Sequence, residues 1–514
     1  MSEGTGKVTF VGAGCGDARL LTQRAVEVLA DADFVLFDPD VHPDVLGCIK
    51  DGTPRHPITP AFTPDRIGQM LAAEAREGRH AVRLTWADPL LFGTGDAEGL
   101  AAARRGATIE VVPGIGPLIA VGAFASVPLT RSSDASQSVA AVSVTRGHES
   151  LHDWDKLASA VDTLAIVCDA ESVAETARSL VFYGRASSER VSIVEGVSLP
   201  TQRLIETTLG QVPLLPRAKT ARVVLVVGER SLPLRELAWL ERKPLFGKRV
   251  LVTRARDQAS TAAALLRDHG ADPVLVPTIE IHPPSDPGPM IDAVSGLDRY
   301  AWVVLTSANG VEKLWAELRR QGKDARALGK ARVAAIGPGT ARALEKVGIT
   351  ADVVAKDHKG EGLARELLAA IGDAKPRVLI ARAEVARDVV PDALREAGCE
   401  VDVVAFYQTR TPPRPLLAAV AELLDAGEID VITFTSSSTV EHLCDALEAR
   451  AAELLAKTCV ASIGPITTET AEKRGIRVDV TAEQHTVPGL VLALEKHFAT
   501  DLLKSGEHPA HREP

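Results

Sequence analysis

The sequence predicts an α/β protein built from largely parallel sheets. Short Val, Ile and Leu runs such as TLAIVCD, RVVLVVG and WVVLTS alternate along the chain with stretches rich in Ala, Leu, Glu and Arg. Apolar runs of this length are typical of strands buried on both faces, and the stretches between them are typical of the helices that cover such sheets. At 514 residues the chain is also too long for a single hydrophobic core. We therefore expect several α/β domains.

The strongest boundary signal is AWLERKPLFGKRVLVTRA, in which Pro244 and Gly247 interrupt a charged segment before a new strand. It predicts a first domain over residues 1–240 and a second over 247–498. The polar end of the chain, 499–514, is predicted to be a disordered tail.

Charge and composition argue against several classes of partner. The formal net charge is −10, so we expect no nucleic acid or membrane partner, and any acidic ligand must be held by local Arg side chains or helix N-termini. The six cysteines are scattered without a C-x-x-C pair, and no His cluster has metal-ligand spacing, which indicates reduced thiols and no metal. The start MSEGTGKVTFVGAG lacks the apolar run of a signal peptide, and no later run is long enough for a membrane span. A cytoplasmic location is expected.

One phrase occurs twice in the second domain, as VAAIGPGTARALEKVGI from Val333 and as VASIGPITTETAEKRGI from Val460. Two other pairs of segments repeat in the same order, VLVTRA with VLIARA and TSANGVEKL with TSSSTVEHL. The three pairs are offset by 127 to 129 residues. Self-similarity at a nearly constant period predicts repeated structural units, which would be two related α/β lobes.

Two further segments, ADPVLVPTIEIHPP and CEVDVVAFYQTRTPP, run from strand-like residues into prolines, as extended connectors do. If both join the lobes, they run in opposite directions and form a two-stranded hinge. Lobe 1 then takes about residues 247–278 and 410–498, from both ends of this domain, and lobe 2 takes about 284–402. A bilobal arrangement predicts a ligand cleft between the lobes.

Hydroxyl-rich turns follow the predicted strands of both lobes. Loops at the carboxyl ends of parallel strands face the binding crevice, and the helix after each loop presents unpaired N–H groups there. Such turns suit a ligand with several carboxylates; the alternative is that each Ser or Thr is an ordinary helix cap. The candidate substrate-binding residues in these turns are Thr306, Ser307, Asn309, Thr340, Ser436, Ser437 and Thr467.

The ordered set RVLVTRA, VVLTSANGV, AAIGPGTARAL, VAFYQTR, FTSSSTVEHL and ASIGPITTETA resembles the uroporphyrinogen-III synthase family. The resemblance implies cyclisation of the linear tetrapyrrole hydroxymethylbilane with inversion of its last pyrrole ring, without metal or organic cofactor. Tyr407 matches the family's connector tyrosine and is the candidate for assisting the departing hydroxyl as a weak acid. Arg254, Arg382 and Arg387 are candidate partners of the substrate carboxylates, because guanidinium binds carboxylate in bidentate fashion.

The first domain opens with a strand, a Gly-rich loop and a helix in KVTFVGAGCGDARLLTQRAVEVLA, which alone is weak evidence for a nucleotide site. Together with VRLTWADPLLFGTG, VVPGIGPLIAVGAFASVPLT and VTRGHE, it resembles the tetrapyrrole methyltransferases, most closely those that methylate uroporphyrinogen III. The resemblance implies a pair of α/β subdomains with S-adenosylmethionine between them, a catalytic aspartate at Asp38 and homodimers through this half. Candidate cofactor-binding residues are Gly12, Gly14, Cys15, Gly16, Asp17, Asp88, Leu91, Gly116 and Cys168.

The first domain also departs from the methyltransferase pattern. Trp86 and Ala87 replace a pair of glycines, which puts side chains where the cofactor approaches the backbone closely. Gly116-Pro117 replaces a Thr and a small residue, and the lysine expected after Asp38 has no counterpart in DGTPRHPITPAFTP. The sequence therefore predicts a synthase fused to a degenerate methyltransferase-like domain. Two alternatives stay open: both halves are active, or the whole chain is a noncatalytic tetrapyrrole-binding or sensing protein.

Overall fold

The computed structural model describes residues 6–131, 138–218, 220–229, 231–253, 256–276, 280–356, 360–410 and 414–505. The chain forms two compact units. The first extends to Val250 and also takes in Leu265–Pro273 and the segment from Leu494, and the second comprises Leu251–Ala264 and Val274–Ala493. No described helix is long and apolar enough to cross a membrane.

A parallel sheet covered by helices makes up the first subdomain of the first unit. Its strands are β1 (Lys7–Gly12), β2 (Phe34–Phe37), β3 (Arg55–Pro57), β4 (Ala81–Thr85) and β5 (Thr108–Val112). Its helices are α1 (Gln23–Ala30), α2 (Pro43–Leu46), α3 (Pro64–Arg76), α4 (Gly95–Ala103) and α5 (Pro117–Phe124). The strand order is β3-β2-β4-β1-β5, with parallel pairing throughout. The central strands are mostly apolar because helices cover both of their faces.

A mixed sheet makes up the second subdomain of this unit. Its strands are β6 (Val139–Val144), β7 (Thr163–Asp169), β8 (Arg190–Glu195), β9 (Arg203–Thr208) and β10 (Arg222–Val227), and its helices are α6 (Trp154–Ala160) and α7 (Val173–Phe182). The strand order is β6-β7-β10-β8-β9; β6 pairs with β7 in parallel and the other pairs are antiparallel. Leu118, Val121 and Phe124 of α5 share a buried cluster with Val167 and Val224 of this sheet. The two subdomains therefore have a common apolar core.

Two further sheets have most of their residues in the second unit. Their strands are β11 (Arg249–Val252), β12 (Asp272–Leu275), β13 (Glu280–His282), β14 (Trp302–Leu305), β15 (Arg332–Ala335), β16 (Val353–Val354), β17 (Arg377–Ala383), β18 (Glu400–Arg410), β19 (Val431–Phe434), β20 (Cys459–Ser462) and β21 (Val480–Thr481). The lobe 1 sheet has the order β12-β11-β19-β20-β21, and the lobe 2 sheet has the order β13-β18-β17-β14-β15-β16. Leaving β13 aside, the two orders match position by position, which confirms the repeated lobes expected from sequence.

The hinge strands pair as expected for connectors that run in opposite directions. β13 is antiparallel to the end of β18, with Glu280 opposite Arg410 and His282 opposite Gln408. The Gln408 side-chain amide donates to the Pro283 carbonyl at 2.7 Å and adds a bond beyond the ladder. Lobe 1 takes strands from both sides of lobe 2 in the sequence, so the chain crosses between the lobes twice.

The remaining helices include one that corrects a sequence expectation. They are α8 (Arg256–Asp268), α9 (Gly288–Ser295), α10 (Ala308–Arg320), α11 (Pro338–Lys346), α12 (Gly360–Ile371), α13 (Val389–Glu396), α14 (Arg414–Asp425), α15 (Ser437–Leu447), α16 (Ala451–Leu455), α17 (Pro465–Lys473) and α18 (Val487–Ser505). Short 3₁₀ turns occur at Ala18–Leu20, Glu149–Leu151, Val212–Leu214, Arg235–Leu237, Leu297–Arg299, Ala325–Leu328 and Glu448–Arg450. The prediction of a disordered tail from residue 499 is wrong for its first part, because the helix-forming residues in ATDLLK extend α18. Residues 506–514 lie outside the described part of the chain.

Candidate functional site

Tyr407 lies near the carboxyl end of β18, where a bulge sets the direction of its side chain. β17 and β18 pair in parallel up to Arg382 opposite Ala405, and the next pair is Ala383 opposite Tyr407, so Phe406 is an extra residue. Neighbouring side chains of a regular strand point to opposite faces, but Phe406 and Tyr407 both belong to one buried cluster. The bulge thus turns Tyr407 into lobe 2, where its side chain is 7% exposed.

The Tyr407 hydroxyl meets the first turn of α10. Its oxygen lies 2.8 Å from Oγ of Ser307, and the side chain of Asn309 bonds to it as well. Ser307 is the N-cap of α10, and its Oγ accepts the Gly310 N–H at 3.0 Å. Either hydroxyl can donate in the contact between Ser307 and Tyr407; when Ser307 donates to the phenolic oxygen, the Tyr407 proton is left for a ligand. The structure thus brings together three residues predicted from sequence, with half-buried Thr306 immediately before them.

The environment of Tyr407 keeps it a weak acid. Burial raises the pKa of Tyr407, while the hydrogen bonds from Ser307 and Asn309 act in the opposite direction. Because a phenol in water ionises near pH ~10, a raised pKa means that Tyr407 is protonated at neutral pH. The two bonds also stabilise a phenolate that forms transiently when the proton is given away. This arrangement suits proton donation to a poor leaving group.

Arg382 and Arg387 have different surroundings in the loop after β17. Arg382 is largely buried; its Nη1 donates to the Arg387 carbonyl at 3.0 Å and its Nη2 to Oδ1 of Asp388 at 2.8 Å. The Arg387 side chain is 81% exposed, and its nearest carboxylate, Glu361, is 3.9 Å away. The contacts of Arg382 are at odds with its predicted role as a carboxylate ligand, whereas Arg387 is available for that role. Arg254 lies outside the described residues.

The same loop holds the backbone of Tyr407. The Glu384 N–H donates to the Tyr407 carbonyl at 2.8 Å. The Glu384 carboxylate accepts the Ser285 N–H at 2.9 Å, on the segment that follows β13. Glu384 therefore joins the loop, the catalytic candidate and the hinge.

Lobe 1 has hydroxyl-rich turns at matching positions but bonds them internally. Ser436 caps α15 in a capping box with Thr439. Oγ1 of Thr470 lies 2.8 Å from Oγ of Ser437 and 2.9 Å from the Ile466 carbonyl oxygen, and its single proton can be donated to either acceptor. The contact between Ser437 and Thr470 joins the first turn of α15 to the second turn of α17. The geometry favours the ordinary-cap alternative for Ser436.

Thr340 and Thr467 occupy matching positions in the first turns of α11 and α17. Both are buried, which places their hydroxyls inside the lobes. The turns can then offer a carboxylate only their backbone N–H groups. Sequence alone cannot separate these two roles of a helix-start threonine.

Three strand-end loops of the first unit are bonded to one another. Gly14 and Ala87 exchange backbone hydrogen bonds, each N–H donating to the other's carbonyl, at 3.1 and 3.0 Å. The Asp88 carboxylate accepts the N–H of Gly114 at 3.0 Å and that of Leu91 at 3.1 Å. A Cβ added to Gly114 would lie 2.0 Å from the Ala87 carbonyl oxygen, so glycine is required for this close approach.

The Asp38 carboxylate is held by internal donors. Its Oδ1 accepts Nη2 of Arg83 at 2.5 Å, and its Oδ2 accepts the Trp86 N–H at 2.7 Å. Arg83 is 1% exposed and also pairs with buried Glu98, Nε to Oε2, at 2.7 Å. One buried guanidinium therefore balances two carboxylates, and loss of it would leave both uncompensated. Sequence reasoning missed Arg83, although a charged residue inside the apolar run AVRLT is a usable signal.

The other residues of the Gly-rich loop contact protein groups. Cys15 is buried, with Sγ 3.3 Å from Oγ of Ser198. Asp17 accepts the Arg19 N–H and pairs with its guanidinium at 2.7 Å. A Cβ on Gly16 would lie 2.8 Å from Cδ2 of Leu199, so the second subdomain packs closely on this glycine.

Cys168 faces away from these loops. Its fully buried side chain lies in the cluster that includes the α7 residue Leu180, and its Sγ is 3.6 Å from Oγ1 of Thr176. Its neighbour Val167 belongs instead to the cluster with Cys15. Since neighbours in a strand face opposite sides, the Cys168 side chain does not point toward the Gly-rich loop.

The side chains of Trp86 and Arg222 meet between the two subdomains. Cζ of Arg222 lies 4.4 Å from the centroid of the Trp86 ring. The Arg222 guanidinium is also 3.6 Å from the carboxylates of Asp40 and Asp169. The indole packs in addition on the apolar cluster that contains Cys15. The two residues are far apart in sequence, and no local pattern predicts their contact.

Fold and site together define a two-part protein, a methylase-like α/β unit joined to a bilobal α/β unit of the tetrapyrrole synthase class. The family model described as "Uroporphyrinogen-III synthase HemD" matches residues 260–492. The family model described as "Tetrapyrrole (Corrin/Porphyrin) Methylases" matches residues 7–213.

Individual proteins match the whole chain or one of its two parts. The porphyrin biosynthesis protein HemD of Ruminiclostridium josui is 29% identical over 498 residues, which is 95% of this chain and 97% of that protein. The uroporphyrinogen-III synthase of Synechococcus elongatus is 34% identical over 260 residues, 49% of this chain and 97% of that protein. The solved structure of uroporphyrin-III C-methyl transferase from Thermus thermophilus complexed with S-adenosyl homocysteine is 31% identical, with a TM-score of 0.38, and covers 44% of this chain and 98% of that one. The chain spans about half the length of the siroheme synthases that it also matches. The chain belongs to the uroporphyrinogen-III synthase family and carries a tetrapyrrole methylase domain ahead of the synthase part.

Proposed function

We propose that the second unit converts hydroxymethylbilane into uroporphyrinogen III, with inversion of the last pyrrole ring and release of water. The main evidence for the proposal is the position of the Tyr407 hydroxyl, which is hydrogen-bonded to Ser307 and Asn309 where β18 meets the first turn of α10. Membership of the synthase family gives the substrate class. A protonated phenol in a fixed position supplies the acid that this reaction needs.

The chemistry follows from that acid. The terminal hydroxymethyl group loses its hydroxyl, which takes the Tyr407 proton and departs as water, and an azafulvenium cation remains. The substituted carbon of the last pyrrole ring attacks this cation, and rearrangement closes the macrocycle with that ring inverted. The proton that the pyrrole then releases restores the phenol, so atoms and charges balance. Between these steps, Ser307 and Asn309 stabilise the phenolate by hydrogen bonding.

Binding of the substrate falls to the strand-end turns. The first turns of α10, α11, α15 and α17 present backbone N–H groups that suit carboxylates. Exposed Arg387 adds a guanidinium on the loop that holds Tyr407. The protein's main contribution is to fold a flexible chain into the reacting geometry, which is worth more than the proton transfer itself.

A product assay tests the proposal. Purified protein is incubated with enzymatically made hydroxymethylbilane, and the uroporphyrinogen isomers are separated. The type III isomer, formed faster than the spontaneous type I product, supports the synthase. Type I alone, at the rate seen without protein, would favour the noncatalytic binding or sensing alternative.

A second candidate function belongs to the first unit. Its match to the methylase family supports methylation of uroporphyrinogen III with S-adenosylmethionine as donor. The retained glycines Gly12, Gly14 and Gly16 and the acids Asp38 and Asp88 favour this candidate. The contacts of Trp86 and Ala87 argue against methylation. The product assay, repeated with S-adenosylmethionine present, tests whether a methylated tetrapyrrole forms.

A further inference from the structure

In an open parallel sheet a ligand binds outside the carboxyl ends of the strands. In the first unit, this position is bordered by the loops after β1, β4 and β5, which contain Gly14, Ala87 and Gly116. A cofactor can bind here only if the side chains at these loops leave space for it.

Ala87 occupies space between these loops. Its backbone adopts the left-handed conformation, with φ of 57°, which glycine adopts at no steric cost. Both of its backbone polar groups are bonded to Gly14, so the residue cannot rotate away without breaking this pairing. Its Cβ lies 3.5 Å from the position that a Cβ on Gly116 would take, which places the methyl group against the third loop.

Trp86 is held in place from several directions. Its backbone N–H donates a hydrogen bond to the Asp38 carboxylate, and its ring packs on the apolar cluster that contains Cys15. The Arg222 guanidinium covers the ring, and the carboxylates of Asp40 and Asp169 flank that guanidinium. The partly buried indole is therefore held by the guanidinium on its face and by the apolar cluster, and the cation beside it comes from the protein itself.

The second subdomain closes the remaining side of the Gly-rich loop. Leu199 lies so close to Gly16 that a Cβ there would be 2.8 Å from its Cδ2. Cys15 is bonded to Ser198 on the same segment. The residues present thus do not fit S-adenosylmethionine between the subdomains.

From these contacts we propose that the cofactor site of the first unit is closed, with Trp86 and Ala87 as the residues that exclude S-adenosylmethionine and Arg222 as the residue that fixes Trp86. The first unit is then a methylase fold without methyl transfer. The inference does not depend on the synthase activity of the second unit.

Calorimetric titration with S-adenosylhomocysteine tests the proposal without any assay of activity. The wild-type chain is expected to give no saturable heat up to a ligand concentration of ~1 mM, which corresponds to binding weaker than about −4 kcal/mol. The Trp86→Gly/Ala87→Gly variant is expected to bind at least ~10-fold more tightly, a gain of about 1.4 kcal/mol. Arg222→Ala alone is expected to give a smaller gain, because the indole keeps its other contacts.

Trp239→Ala is the matched control. Trp239 belongs to the same unit and is also covered by a cation, Lys243 at 5.0 Å, but it packs on Phe124 at the far end of α5 from Gly116. This variant is expected to bind no more ligand than the wild type. Melting curves for each variant show whether the unit is folded.

Two results would overturn the proposal. Micromolar binding by the wild-type chain would show that the site is open. A folded glycine variant that binds no better than the wild type would show that Trp86 and Ala87 are not what excludes the cofactor.

Discussion

The hydroxyl oxygen of Tyr407 and Oγ of Ser307 lie 2.8 Å apart, although 100 residues separate them in the sequence. Tyr407 is the last residue of β18 that pairs in parallel with β17, and Ser307 is the N-cap of α10. Their contact joins the two features that the synthase proposal needs, an acid and a helix start that can bind an anion.

Removal of the Tyr407 hydroxyl should slow the reaction. Tyr407→Phe keeps the buried ring but has no proton to donate, so we expect turnover of hydroxymethylbilane to fall by about 10²-fold, the lower range for general acid catalysis. The rate of type III product formation measures the effect. An unchanged rate would remove Tyr407 from the mechanism.

Tyr300→Phe is the matched control for that variant. Tyr300 lies in the same apolar cluster, and its hydroxyl donates to Asp402 at 2.7 Å. It precedes β14, however, and so lies at the amino end of that strand, whereas Tyr407 lies near the carboxyl end of β18. Its removal should lower the free energy of unfolding by about 1 kcal/mol and leave turnover at the wild-type level.

Ser307 should affect both folding and turnover. Ser307→Ala removes the cap of α10 and the donor to Tyr407, so we expect a loss of about 1 kcal/mol in the free energy of unfolding and a severalfold loss in turnover. Ser307→Thr keeps the hydroxyl and should recover most of both. If Ser307→Ala loses stability alone, the residue is a cap and has no part in the reaction.

The pH dependence follows from the raised pKa of Tyr407. Below pH ~10, which is the pKa of tyrosine in the unfolded chain, the phenol is protonated in both the folded and the unfolded protein. In this range it gives the free energy of unfolding no pH dependence. Between that value and the higher folded pKa, only the unfolded chain loses the proton, so the free energy of unfolding falls as the pH rises. Urea unfolding in this window should show a smaller loss for Tyr407→Phe than for the wild type.

The turnover rate gives the complementary result. It should show no decline that belongs to Tyr407 between pH ~7 and ~9, because the acid stays protonated there. A one-proton decline in that range that Tyr407→Phe lacks would mean that the phenol ionises more easily than its surroundings imply.

Substitutions of the two arginines in the loop after β17 should change different steady-state constants. Arg387→Ala removes an exposed guanidinium and is expected to raise KM severalfold with little change in kcat, as loss of uniform substrate binding does. Arg382→Ala releases the loop that holds the Tyr407 backbone and is expected to lower kcat. The steady-state constants of both variants test this division; the reverse pattern would restore Arg382 as the carboxylate ligand.

The fold was predictable where the sequence repeats itself. The offsets of 127 to 129 residues correspond to two sheets with matching strand order, and the proline-flanked segments correspond to the β13–β18 pair. Hydroxyl residues at helix starts were also found, because caps have a strong local signature. A periodic pattern identifies elements and their order well because both depend on local sequence.

The roles of single side chains were less predictable, since they depend on distant partners. No residue near Arg382 in the sequence indicates that its guanidinium hydrogen-bonds to the Arg387 carbonyl and to Asp388. Likewise, no residue near Trp86 indicates that the Arg222 guanidinium lies over its ring. The extra residue Phe406, which redirects Tyr407, depends on how β17 and β18 pair. Register and side-chain direction are tertiary properties, so they become visible only in the structure.

The isomer composition of the product formed from hydroxymethylbilane, with S-adenosylmethionine present, is the most direct measurement. We expect uroporphyrinogen III, formed faster than in the spontaneous reaction and carrying no added methyl group. Type I isomer alone, at the rate of the protein-free control, would contradict the synthase, and methylated type III product would contradict the closed cofactor site.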